Sequence, residues 1–267
     1  MAPVPARAAH QRQRIKKHYD NNSVRRTYDL VRFALPRLDP EAGLAEDELV
    51  ATCSASRNTI RTVLRSLAEE GLIRRRRREG TTCPGWMVLP IDEVMKFGEL
   101  EGTSGVVLRS VALETLVIPA PAIVRDRLNL PIGALVLVVE GMLCDEDDVP
   151  LALTVSYLAL DGSEGTPPLP RTADPVAFLE DELGVVLGPS TTTVGAMSAD
   201  TATAHCLGIP EGAALLWFED VLTDTTGQPR ALSQFRLRGD RIATSATVRR
   251  RTSSRYPSTG EDKPTRG

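Results

Sequence analysis

Residues 56–82 read SRNTIRTVLRSLAEEGLIRRRRREGTT. Ile60, Val63, Leu64 and Leu67 recur at helical spacing and form one apolar stripe. Ser56 stands where an N-cap belongs, and Gly71 stands where a helix ends in a left-handed residue. The residues after Gly71 read as strand, tight turn, strand, and that hairpin carries five consecutive arginines, Arg74 to Arg78. Such a run repels itself unless an anion lies between its members.

Two shorter helices precede this unit. Val24, Tyr28, Val31 and Leu35 recur at near-helical spacing behind Ser23, a candidate cap, and Pro36 and Pro40 close that helix. A short acidic helix follows over about Ala45 to Thr52. Three helices and a two-stranded hairpin within this span make a winged helix-turn-helix, whose third helix enters a major groove of double-stranded DNA. Arg57, Asn58, Thr59 and Arg61 lie on its first turn and a half, beside its free N–H groups, where base edges and phosphates are read. Arg57, Arg61 and Arg65 form a basic ridge at four-residue spacing. In the hairpin Arg75, Arg77 and Arg78 are candidate contacts to the DNA backbone.

Charge supports a polyanion partner for the first part only. Residues 1–90 hold 17 Lys and Arg against 10 Asp and Glu, whereas the rest hold 15 against 25, within a chain of 267 residues and net charge -3. Hydrophobic residues make up 42% and charged ones 25%, as in a globular protein able to bury a core. Cys53, Cys83, Cys144 and Cys206 form no CxxC pair, and with His10, His18 and His205 they make no zinc pattern, so no metal and no cofactor is expected. The basic N-terminus lacks the apolar core of a secretory signal, and no apolar run approaches the ~18 residues of a membrane span, so no membrane partner and a cytoplasmic location are expected.

The second half repeats itself. At a constant offset of 79, residues 128–153 match residues 207–232 at 11 of 26 positions, among them Pro131/Pro210, Gly133/Gly212, Glu140/Glu219, Asp145/Asp224 and Pro150/Pro229. Each copy reads as a helix end, a turn, a strand, an acidic hairpin turn and a second strand. With helices over about 120–128, 175–183 and 200–207, the pattern predicts an antiparallel sheet with helices packed on it, and a pocket where the halves meet.

SASRNTIRTVLRSLAEEGLIRRRRREGTT resembles the DNA-binding signature of the GntR family. The repeat, with LGIPEG, DTTGQP and RGDR (Arg238 to Arg241), resembles the UTRA sensor domain of the HutC-like subfamily. Together these resemblances cover roughly residues 23–250. They imply an α+β protein, a winged helix-turn-helix followed by a chorismate lyase-like UTRA domain. The implied function is that of a dimeric regulator, a homodimer that binds a palindromic operator and senses a small molecule. Ser56, Arg57, Thr59 and Arg61 match the family's recognition helix, and Gly80 with Thr81 its wing tip. The expected organisation is a flexible basic arm over 1–22, the DNA-binding domain over 23–84, a linker over 85–105, the UTRA domain over 106–250 and a disordered tail over 251–267.

Two departures carry weight. Where the family has Pro-Ser-Glu-Arg entering its second helix, this chain has Leu44-Ala45-Glu46-Asp47, and Asp47 would repel a phosphate. Where sugar-phosphate sensors carry arginines, this chain has Glu140, Met142 and Cys144, and the family's two glutamates fall on Thr154 and Ala231. An effector of low polarity is therefore expected, with Glu140, Met142, Thr154, Tyr157, Ser233 and Arg238 as its candidate contacts. Two other readings stand beside this one: a DNA-binding dimer whose sensor has lost its ligand, and an enzyme of lyase-like fold. No GxSxG, HExxH, P-loop or GxGxxG pattern occurs, so catalysis is not expected.

Overall fold

The computed structural model describes residues 22–38, 43–76, 80–83, 85–104, 107–160 and 170–248. The arm expected over 1–22 (Asn22 apart), the tail over 251–267, and Arg77 and Arg78 lie outside them. Three helices come first: α1 (Asn22–Ala34), α2 (Glu46–Cys53) and α3 (Arg57–Glu69). α1 already includes Asn22, so Ser23 sits inside its first turn instead of capping it. α2 has no side-chain cap, but Glu46, Asp47 and Glu48 place negative charge on the positive end of its dipole. α3 is closed at both ends. The Ser56 hydroxyl accepts from Thr59 N at 3.1 Å. At the far end Leu72 N donates to Leu67 O at 2.9 Å and Gly71 N to Ala68 O at 3.1 Å, around a Gly71 φ of +75° that only glycine adopts freely.

The α3 stripe of Ile60, Val63, Leu64 and Leu67 is fully buried against Val31 and Leu35, and Leu72, Ile73 and Trp86 complete that core. Each such side chain contributes about 1.5–3 kcal/mol of burial free energy, which fixes the three helices before any DNA is met. β1 (Arg74–Arg76) and β2 (Gly80–Thr82) then pair antiparallel, Arg75 opposite Thr81, as the expected wing.

The stretch expected as a linker carries structure of its own. It contains β3 (Met87–Pro90) and α4 (Phe97–Ser104). β3 pairs in parallel with β10 (Ile242–Ser245), with Ile242 opposite Met87. Arg241 strengthens that union, donating to Gly85 O at 3.2 Å and to Asp145 Oδ2 at 3.0 Å. Asp174 Oδ2 accepts from Phe97 N at 2.6 Å and so ties down the start of α4.

The remaining strands form one antiparallel six-stranded sheet. In chain order its elements are β4 (Arg109–Pro119), α5 (Ala122–Leu128), β5 (Leu135–Cys144), β6 (Pro150–Ala159), α6 (Pro175–Ala177, running into a π turn over Phe178–Glu182), β7 (Thr191–Ser198), α7 (Thr201–Leu207), β8 (Ala214–Thr223) and β9 (Pro229–Arg238). Their spatial order is β4-β5-β6-β9-β8-β7, so the two copies of the repeat meet at β6 and β9.

The duplication is longer than the identities show, because α5 and α7 also correspond at an offset of 79. It persists down to single hydrogen bonds. The Asp145 carboxylate accepts from Asp147 N and Val149 N as that of Asp224 does from Thr226 N and Gln228 N. Gly133 and Gly212 have φ of +83° and +81° in equivalent turns. Strand alternation gives the sheet two faces. One buries α5 and α7 against Val136, Val138, Leu232 and Leu215. The other is covered by β3, α4, α6 and β10.

Candidate functional site

Two regions carry the chemistry, and the first is the exposed edge of α3 with the wing. Arg57, Asn58, Arg61 and Arg65 point to solvent. Thr59 does not. It is 9% exposed, and its hydroxyl is 2.9 Å from that of Ser56, so Ser56 and Thr59 set the helix end and its free N–H groups instead of offering free side chains. In the wing, Thr81 is buried and its carbonyl accepts from Leu44 N at 2.7 Å, which anchors β2 to the segment before α2. Arg75 shares Thr81's side of the hairpin and turns back toward the helices, while Arg74 is exposed on the other side. Gly80 opens β2 opposite Arg76 with a φ of +99°, a conformation that favours glycine.

Three cations of this surface already have partners. Arg57 pairs with Asp47 at 2.5 Å, while Glu46 takes Arg61 on one oxygen and Arg75 on the other, both at 3.0 Å. One carboxylate thus bridges recognition helix and wing. Asp47, expected only to repel a phosphate, instead holds the first arginine of α3. Because these pairs are largely exposed, each contributes about 0–1 kcal/mol, little enough for a phosphate to displace. The acidic first turn of α2 was visible in the sequence, but its contact with α3 follows from the crossing of the two helices.

The second region is a cavity of about 90 Å³ between the sheet and the segment that follows the wing. Met87, Leu89, Phe97 and Leu100 form its outer wall, and Leu143, Phe218, Phe235 and Leu237 its floor. Asp220 is the charged group of this largely apolar floor, with Thr192 across the strand from it. Its Oδ1 is shut off from solvent and has no hydrogen-bond partner among the described residues. Burial raises its carboxyl above the ordinary value, a hydrogen bond from the Thr192 hydroxyl lowers it, and the charge of Glu219 raises it. Asp220 was missed, although the signal is in the strand: Leu216, Phe218, Asp220 and Leu222 share one face, and one of the four is charged.

The expected effector contacts do not come together. Alternation puts Thr154 and Ser233 on the cavity's face of the sheet, and Glu140, Met142 and Tyr157 on the opposite face with α5 and α7. Even Thr154 and Ser233 lie beside the cavity and not in its wall. Ser233 is bonded to Ser156 at 2.9 Å, and Thr154 Oγ1 is buried without a partner among the described residues. Glu140 is exposed opposite Glu114. Arg238 pairs with Asp240 at 2.7 Å and donates to Pro150 O at 3.2 Å, a closure of the sheet end. The repeat pointed to a pocket between the two halves, but the cavity lies under the added layer of β3 and α4. Among the described residues no group of three or more His, Cys, Asp or Glu is placed to hold a metal ion, and no helix is long and apolar enough to cross a membrane.

Comparison with known proteins agrees with this geometry. The family model of the UTRA domain matches residues 103–243, and that of the bacterial regulatory proteins of the gntR family matches residues 25–83. A curated relative, the uncharacterized HTH-type transcriptional regulator RB1450 of Rhizobium meliloti (strain 1021), is 27% identical over 232 residues, 82% of this chain and 91% of that one. Among solved structures, PhnF from Mycobacterium smegmatis superposes with a TM-score of 0.58 at 19% identity, covering 84% of this chain and 100% of its own. The possible transcriptional regulator YydK from Bacillus subtilis subsp. subtilis str. 168 gives 0.52 at 17% identity, over 85% and 99%. At these identities the structural likeness is one of fold.

Proposed function

This chain belongs to the GntR family of bacterial regulators and carries a UTRA domain, and from that premise we propose that it is a repressor: a cytoplasmic homodimer that binds a palindromic operator and releases it when a small molecule of low polarity enters the cavity. Family membership itself makes it a transcriptional regulator with a helix-turn-helix DNA-binding domain and an effector-binding domain. In our reading it is not an enzyme.

On the DNA side, Arg57, Asn58 and Arg61 read the major groove from an α3 end set by Ser56 and Thr59. Arg75, Arg77 and Arg78 hold the backbone from a wing turned by Gly80 and anchored by Thr81. The observation that carries the regulatory half is the composition of the cavity wall. Residues 87–100, which directly follow the wing domain, form one side of it. A ligand there differs in its contacts with two positions of that segment, which is what a coupling free energy requires. A formed cavity with one carboxylate oxygen unpartnered among the described residues also favours a working sensor over one that has lost its ligand.

The test is fluorescence anisotropy of the full chain on the DNA upstream of its own gene, across a salt series and with nonspecific competitor. Tight, steeply salt-dependent binding that survives the competitor is expected. Weak binding, equal on any DNA, would overturn the operator reading.

A further inference from the structure

We propose that the ligand of the cavity is a small apolar amine, held as its ammonium ion by the Asp220 carboxylate with its hydrocarbon part against Phe97, Phe218 and Phe235. This rests on reading the cavity as the effector site and adds the chemical class of what fills it.

Charge decides the class. Among the described residues the charged side chains in the wall are Asp220 and Glu93, both acidic, and no Lys, Arg or His lines it. Lys96, next to the wall in sequence, sends its ammonium to Glu180 and Asp181 at 3.3 and 2.7 Å. An anionic ligand would therefore meet two like charges and no cationic side chain among the described residues. A purely apolar ligand would fill the volume but leave Asp220 Oδ1 as an enclosed acceptor without a donor, the costly case for a polar group. The neighbouring hydroxyls do not relieve it: Ser233, across the strand from Asp220, is engaged with Ser156. Thr192 also bonds the carboxylate, yet Oδ1 remains unpartnered.

An ammonium ion answers each point. It supplies a charge-assisted donor to the Asp220 carboxylate and keeps it ionised against burial. It also meets an aromatic wall, in which Phe97 and Phe235 stand edge to face with ring centroids 6.3 Å apart, suited to the hydrocarbon and to the positive charge. Glu93, exposed at the mouth, attracts the same ion during entry. The volume sets the size: about 90 Å³ admits on the order of six to nine non-hydrogen atoms, so benzylamine is a fitting probe.

The experiment is isothermal titration of the full chain with benzylamine, benzyl alcohol and benzoate, repeated on Asp220→Asn and on Val94→Trp, which fills the cavity from its half-open side. Benzylamine is expected to bind at least tenfold tighter than the alcohol or the benzoate. Asp220→Asn should erase that preference, and Val94→Trp should weaken all binding. The wild-type comparison alone tests the class if either variant fails to fold. If benzoate or the alcohol binds as well as the amine, the ligand class is wrong; if the amine preference survives Asp220→Asn, Asp220 does not hold the ammonium and the assignment is overturned. The cavity reading then stands so long as Val94→Trp still blocks. If none of the three probes binds the wild-type chain, both readings fall.

Discussion

Glu46→Gln should tighten DNA binding. Glu46 holds Arg61 and Arg75 at 3.0 Å each, with side-chain exposures of 58%, 38% and 27% for Arg61, Arg75 and Glu46. Those two guanidiniums reach phosphates or base edges only by leaving the carboxylate. Exposed pairs of this kind are worth about 0–1 kcal/mol each, so releasing two sets a ceiling of about 2 kcal/mol on the gain in affinity, which at 1.4 kcal/mol per tenfold is about 25-fold. A gain of about threefold to 25-fold is expected, shrinking as salt screens the pairs in the parent protein. Anisotropy on the upstream DNA, at several salt concentrations, reads it directly. Repeating the substitution in an Arg61→Ala, Arg75→Ala background should abolish the gain, since the carboxylate then has nothing to withhold. Unchanged or weaker binding by a normally melting Glu46→Gln protein would refute the reasoning. Glu46 would then be positioning the two arginines for DNA, not competing for them.

Three further outcomes are expected. Neutralising Arg77 and Arg78 should flatten the plot of log affinity against log salt by about one unit for each phosphate no longer neutralised, and an unchanged slope would remove the wing from the DNA-binding surface. Gly141→Ala should destabilise the sensor domain, because its Cβ would collide with the Cβ of Ala173 and lie 2.9 Å from Thr154 Oγ1. The cost is about 1–3 kcal/mol, read as a lower Tm. The Asp224 carboxyl is held down at about 2, chiefly by the Thr226 hydroxyl and by backbone N–H groups of Gln228 and Thr226, against about 3.9 in the unfolded chain. A lowered pKa stabilises the fold above the unfolded value and ceases to do so as pH falls toward 2. Asp224→Asn should therefore show a shallower fall of Tm between pH 5 and pH 2 than the parent.

Most of the fold was legible because its determinants are local. The Ser56 cap, the Gly71 terminus and the apolar stripe of α3 each occupy one short window and agree with one another, which is the condition under which sequence reading works. The repeat was legible for a related reason: Gly133 and Gly212 mark turns that need positive φ, and Asp145 and Asp224 fold the same hairpin from the inside. The site was less legible because a binding wall is a non-local property. Thr154 and Tyr157 are three residues apart on one strand, and an odd spacing in a strand places side chains on opposite faces. Matching Thr154 and Tyr157 to one ligand thus required a helix-like geometry that β6 does not have. Of the α2 acids Glu46 and Asp47, the second was read as hostile to a phosphate because charge alone predicts repulsion. Their pairing with Arg57, Arg61 and Arg75 depends on the distance between two helices that no window of sequence encodes.

The segment after the wing shows how ligand and DNA could be linked without a long pathway. Trp86 is buried in the core of the DNA-binding domain, under the Arg32 guanidinium 5.1 Å from its ring centroid, while Met87, its immediate neighbour, lies in the cavity wall. Consecutive residues of an extended chain point to opposite sides, so these two side chains are coupled through one backbone unit. β3, which begins at Met87, is not free to absorb a displacement at its far end. Met87 N donates to Arg241 O and Ile91 N to Ser245 O, both at 2.9 Å, and Phe97 N is fixed to Asp174. A ligand that pushes Met87 and Leu89 outward is therefore opposed along β3 and at α4, and the displacement is passed to Trp86, the neighbouring residue in the DNA-binding core. Movement of Trp86 shifts the core against which α1 and α3 are packed, and with it the direction in which α3 presents Arg57 and Arg61. In the proposed mechanism the signal crosses between domains through the Trp86–Met87 peptide, which lies between an aromatic anchor on one side and the cavity on the other, with Ala243 of β10 packed against the same core.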